Sequence, residues 1–189
     1  FMPISDEQFL LLQFRGKIYK KIGTEFQTFF EDIMEKAYED FQKIRPYGNK
    51  GDGGNDGYRP SSGTYYQIYA PMEPSIKEAD AAQKLENDFY KLKKEWDGIT
   101  EVKAYNFVFN DKYNGSIQKL EEKKAILKAA NPGIEFKLFL AKDLEQEFFK
   151  LENNKKIELG FNLDSRVTIS IVNQYLNNVE IQLDKECIN

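Results

Sequence analysis

Gly51-Asp52-Gly53-Gly54-Asn55-Asp56-Gly57-Tyr58-Arg59, then Pro60-Ser61-Ser62-Gly63, then Thr64-Tyr65-Tyr66-Gln67-Ile68-Tyr69-Ala70: this run decides how the chain is read. Thr64 to Ala70 is rich in β-branched and aromatic residues and is closed by Pro71. The pattern predicts a hairpin, with a first strand containing Asp56 to Arg59, a turn at Pro60 to Gly63 and a second strand at Thr64 to Ala70. Neighbouring strands lie about 4.8 Å apart and residues of like parity face one way. Gln67 and Tyr69 therefore share a face, and an Asp opening the first strand can converge with a polar residue on the second.

Four chemistries compete for the Gly- and Asp-rich approach to that hairpin. A dinucleotide cradle needs its glycines between a strand and a helix N-terminus; here a strand follows, and two aspartates would repel phosphate. A calcium loop begun at Asp52 finds Gly54 at its third position and Gly63 at its twelfth, so two ligands fail. A turn needs Asp and Gly for their backbone geometry alone. The fourth reading is a divalent-cation site, in which Asp56 and a polar residue of the next strand converge and the Ile68 carbonyl completes the shell. Mg²⁺ takes oxygen ligands and keeps several waters, one of which can act as a nucleophile.

Outward from the hairpin, Ser5-Asp6-Glu7-Gln8 is a capping-box pattern before the apolar run Phe9 to Leu12, with Gly16 as a stop. Thr24-Glu25-Phe26-Gln27 is a second box. It opens a helix carrying Phe26, Phe29, Phe30, Ile33, Met34, Ala37 and Phe41 at helical spacing, with Glu25, Asp32, Glu35 and Glu39 on the opposite face. Beyond the hairpin, a helix capped at Ser75 to Glu78 carries Leu85, Phe89, Leu92 and Trp96, and a strand runs from Val102 to Phe109. A helix from Ser116, with Leu120, Ile126 and Leu127 inside, ends at Pro132-Gly133. A strand from Ile134 to Ala141 precedes a helix capped by Asp143. This alternation predicts an α/β fold with parallel crossovers. Residues 1–161 are expected to form the domain and 162–189 a C-terminal extension or a linker to a partner element.

Phe30-Glu31 on a helix, Gly51-Asp52-Gly53-Gly54-Asn55-Asp56-Gly57 in a loop and Tyr66-Gln67-Ile68-Tyr69 on a strand together resemble the PD-(D/E)xK restriction-endonuclease-like superfamily, especially its Mrr-like branch. The resemblance covers about residues 20 to 110. It implies an αβββαβ core, a mixed central sheet flanked by helices, and Mg²⁺- or Mn²⁺-dependent hydrolysis of DNA. It makes Asp56 the metal-binding aspartate, puts Gln67 at the acidic position with the Ile68 carbonyl beside it, and makes Glu31 the helical glutamate that assists the metal. The family lysine falls on Tyr69, which carries no positive charge near neutral pH. Losing one such stabiliser of phosphate charge typically costs ~10²–10³-fold in rate, and Lys50, Lys77 and Lys84 are candidate substitutes. The segments 107–113 and 140–145 also resemble nuclease-type domains of prokaryotic defence proteins. That implies a homodimer or a larger assembly with a sensor or NTPase component.

Composition excludes much else. There is no histidine, so Ser-His-Asp and Cys-His catalysis and HExxH zinc sites are out. Cys187 is the one cysteine, which rules out an internal disulfide framework and makes a reducing, cytoplasmic setting the expectation. No apolar run approaches the ~18 residues that span a bilayer, so no membrane role is expected. The net charge of −4 excludes a generally basic nucleic-acid-binding surface, though not a local basic rim. Three functions follow: a metal-dependent DNA endonuclease-like domain of weak or partner-dependent activity, an inactive pseudo-nuclease that binds DNA or mediates assembly, or an unrelated α/β interaction domain whose Gly-rich loop is only a turn. Tyr69 is the residue that separates the first two.

Overall fold

A computed structural model of the chain describes residues 5–45, 53–71 and 78–164. Asp52, Lys50, Lys77, the Ser75 cap, Cys187 and residues 165–189 lie outside the described residues. The chain divides into two compact units. One is Lys17–Glu152; the other groups Phe1–Gly16 with Asn153–Asn189.

The larger unit is built on a five-stranded mixed sheet. Helix α2 (Gly23–Ala37) precedes β1 (Gln42–Lys43), β2 (Gly57–Arg59) and β3 (Thr64–Tyr69). Then come α3 (Glu78–Trp96), β4 (Ala104–Phe109), α4 (Gln118–Ala130), β5 (Glu135–Phe139) and α5 (Ala141–Lys150). Spatial order follows chain order: β1, β2 and β3 are antiparallel neighbours, while β3, β4 and β5 run parallel. The parallel pairs need crossovers, and α3 and α4 supply them.

Both sheet faces are covered, which is why β4 reads as a nearly unbroken apolar run rather than an alternation. Tyr65, Tyr105, Phe107, Phe109 and Phe136 pack with Leu85, Phe89 and Leu92 of α3 and Leu120 and Leu127 of α4. On the opposite face Phe30 of α2 meets Tyr66 at 5.7 Å and Phe139 at 5.6 Å. The second unit contains most of α1 (Asp6–Lys20) and α6 (Asn153–Glu158), with Phe14 stacked on Phe161 at 6.4 Å.

Several elements differ from expectation. The α1 helix runs through Gly16 to Lys20; a mid-helix glycine costs about 1 kcal/mol but does not by itself stop a helix. Helix α2 opens at Gly23 with Ile22 as its cap residue, and Gln27 spends its side chain elsewhere than on a capping box. It ends at Ala37, so Phe41 leaves the helix yet still reaches the core, 5.8 Å from Tyr66. Ile126 is exposed rather than interior.

Candidate functional site

The site forms where the pairing of β2 with β3 gives out. The last pair of that ladder is Gly57 with Tyr66. One residue earlier, Asp56 is gripped by its backbone: its N–H donates to Tyr66 O at 3.0 Å, and its carbonyl accepts from Ile44 N at 3.0 Å. Its carboxylate then takes over from the missing strand. Oδ2 accepts from Ile68 N at 2.6 Å and from Gln67 Nε2 at 2.7 Å. In a strand a residue's N–H and C=O point to one side, so the Ile68 carbonyl faces the same gap. Asp56 and Gln67 are 6% and 3% exposed, so these charge-assisted bonds form away from bulk water.

The glycines before Asp56 make this approach possible. Gly54 has φ +78°, and a Cβ there would lie 2.3 Å from the Asp88 carbonyl of α3. Helix α3 is thus held against the loop by a backbone contact that no side chain permits.

From α2, Gln27 Nε2 donates to Glu31 Oε1 at 2.8 Å and to Asp56 Oδ1 at 3.3 Å. Glu31 is therefore one amide away from Asp56. Burial pushes the Glu31 carboxyl above its usual value, against the opposing pull of Gln27 and Lys43. Lys43 lies 3.9 Å from Glu31 but 3.1 Å from both Asp32 and Glu35. Gln27 and Lys43 were not singled out from sequence. For Gln27 the signal was its place one turn before Glu31 on the same helical face.

Ile68 and Gln27, which both bond to Asp56, also line a cleft of about 270 Å³ whose walls include Gly23, Thr24, Tyr69 and Lys84. Tyr69 stacks on Phe107 at 5.7 Å and Phe109 at 6.2 Å. Its phenol is pushed above its usual value, chiefly by burial, with Asp80 adding and Lys84 opposing. It is thus a neutral hydrogen-bond donor at pH 7.

The donor chemistry fits a hard divalent cation. Gln67 Oε1 is buried with no hydrogen-bond partner among the described residues, an expensive state for an acceptor unless something fills it. Amide, carboxylate and main-chain carbonyl oxygens such as those of Gln67, Asp56 and Ile68 are the donor type that Mg²⁺ and Mn²⁺ prefer. Glu31 stands behind Gln27. Among the described residues no three Asp, Glu, His or Cys side chains gather into a metal-holding group.

Compared with models of known families, with curated proteins and with solved structures, the chain matches none. No described helix is long and apolar enough to cross a membrane.

Proposed function

We propose that this chain is a restriction-endonuclease-like domain that hydrolyses DNA phosphodiesters with Mg²⁺ or Mn²⁺, acting in the cytoplasm within a prokaryotic defence assembly. The observation that carries the reading is the buried Asp56–Gln67–Ile68 junction, with its unpartnered Gln67 oxygen, whose Ile68 also lines an open cleft. The order α2, β1, β2, β3, α3, β4 agrees with an αβββαβ core.

Asp56 Oδ1, the Gln67 amide oxygen and the Ile68 carbonyl would hold the ion, and Glu31 would act through Gln27 or a water. Once bound, a divalent ion supplies Lewis acidity towards a phosphate oxygen and an attacking water. The chain's own part is orientation. The Asp56 backbone fixes the carboxylate, Gln67 Nε2 and Ile68 N fix its rotation, and the cleft admits the phosphate.

The pseudo-nuclease reading is favoured by one specific feature: the strand position that would carry the lysine holds a neutral tyrosine packed on two phenylalanines. Incubating wild type, Asp56→Ala and Tyr69→Lys with supercoiled and linear DNA in Mg²⁺ and in Mn²⁺ separates the two. The nuclease reading expects weak cutting that is lost in Asp56→Ala and raised in Tyr69→Lys. Cutting unchanged in Asp56→Ala would remove the site assignment. No cutting by any of the three, with divalent binding absent in calorimetry, would favour the pseudo-nuclease.

A further inference from the structure

Resting on the nuclease reading, we propose that Lys84, from the second turn of α3, supplies the positive charge at the substrate phosphate that the strand position of Tyr69 does not, with the Tyr69 hydroxyl as a second, neutral donor.

Three observations place Lys84 there. First, it is the one charged side chain among the described residues that line the cleft, which it shares with Ile68 and Tyr69. Second, its position is fixed by the backbone. The Asp88 carbonyl sits against Gly54, two residues before Asp56. Lys84 lies one turn before Asp88, about 6 Å along the helix axis, on the same face. Third, the ammonium is held yet reachable. Its Nζ is 2.5 Å from Asp88 Oδ2, and its side chain is 38% exposed. A phosphate oxygen entering the cleft can share the ammonium with Asp88, because lysine has three donors on a flexible stem.

Lys43 is the competing cation. It is committed to Asp32 and Glu35, each at 3.1 Å, and is not among the residues lining the cleft. In the reaction a water oxygen bonds to phosphorus and gives its proton to solvent. The bond from phosphorus to one sugar oxygen breaks with its electron pair, and that oxygen takes up a proton. Lys84 remains an ammonium throughout, stabilising the extra negative charge on the non-bridging oxygens.

The test compares wild type, Lys84→Gln, Lys84→Arg, Lys84→Gln/Tyr69→Lys and, as a surface control, Lys94→Gln. Three quantities are read: the Mg²⁺-induced rise in melting temperature, the salt dependence of binding to a labelled DNA duplex, and the cleavage rate. Lys84→Gln should keep the Mg²⁺ effect, lower cleavage about 10²-fold and reduce the slope of log affinity against log salt by about one unit. Lys84→Arg should keep the slope, and the double variant should recover cleavage. Should wild type bind DNA without cutting it, the slope alone decides: a fall in Lys84→Gln but not in Lys94→Gln supports the role, and no fall overturns it. Unchanged slope and cleavage in Lys84→Gln, with the Mg²⁺ effect intact, would overturn the Lys84 role while leaving the nuclease reading standing. Wild type showing neither a Mg²⁺ effect nor DNA binding would remove both.

Discussion

Gly54 and Asp56 show how closely shape and chemistry are tied at single positions. The carboxylate reaches Ile68 N only because the chain before it turns through φ +72° at Gly53 and +78° at Gly54. A Cβ at Gly54 would meet the Asp88 carbonyl at 2.3 Å and Leu92 N at 3.1 Å. Gly54→Ala is therefore expected to cost at least ~2 kcal/mol, from the left-handed backbone and from pushing α3 outward. Chemical denaturation would show it as a lowered midpoint, and divalent binding should weaken with it; an unchanged midpoint would contradict the close approach. A second single-residue effect is a matter of protons. Tyr38 donates to Glu147 Oε2 at 2.9 Å, and burial with that carboxylate pushes its phenol up to about 12. The folded state thus holds this proton more tightly than the unfolded chain, whose tyrosines titrate near 10. The associated stability is complete below about pH 10 and is lost as pH rises through about 12. In Tyr38→Phe the decline of stability across that interval should be shallower, read from denaturation midpoints at stepped pH. An unchanged decline would show that the phenol does not carry it.

At the level of elements, sequence and structure part where tertiary packing overrides a local signal. The hairpin was legible because Pro60-Ser61-Ser62-Gly63 is turn chemistry and Thr64 to Tyr69 is a strong strand former, and both appear where expected. The two-residue β1 was not legible. It exists because Gln42 and Lys43 pair with Tyr58 and Gly57, a contact made across the intervening residues 44–56 that no local pattern encodes. Phe41 fitted the helical stripe but works as a core residue from outside the helix, because its ring packs against Phe30 and Tyr66 whether or not its backbone is helical. At the site, Asp56 and Gln67 could be paired from strand parity. The Gln27 bridge and the approach of Lys43 to the acidic face of α2 could not, since each joins elements whose spacing depends on the whole fold. Asp111 is a similar long-range tie. Its Oδ2 accepts from Gly115 N at 2.9 Å, closing the turn after β4, and its Oδ1 accepts from Ala141 N at 2.9 Å, at the first residue of α5. Asp111→Ala would leave a buried N–H unpaired and is expected to cost ~2 kcal/mol, with Asp111→Asn losing less. Equal midpoints for wild type and Asp111→Ala would show that the tie contributes nothing.

Across the whole molecule, charge sets the ceiling on what the site can do alone. The net charge is −4, with 27 basic against 31 acidic residues. The acidic face of α2 keeps Lys43 occupied, and Lys84 shares its ammonium with Asp88. Association with DNA releases counterions in proportion to the phosphates neutralised, and a cleft bearing a single cation among its described residues neutralises few. With one or two effective phosphate contacts, affinity should fall only about 3- to 12-fold between ~50 and ~200 mM salt, against the ~10³-fold or greater loss of proteins that make many such contacts. Affinity and turnover by the isolated chain should both be low for the same reason, and a partner with a basic surface should raise both. Mn²⁺ should serve better than Mg²⁺, because an amide oxygen and a main-chain carbonyl form a weaker donor set than paired carboxylates, and Mn²⁺ stands above Mg²⁺ in its affinity for such ligands. Fluorescence anisotropy of a labelled duplex across a salt series measures the slope directly. A steep slope, equivalent to six or more contacts, would mean that the DNA is held by a basic surface elsewhere on the chain, and the cleft would then be only part of a larger footprint.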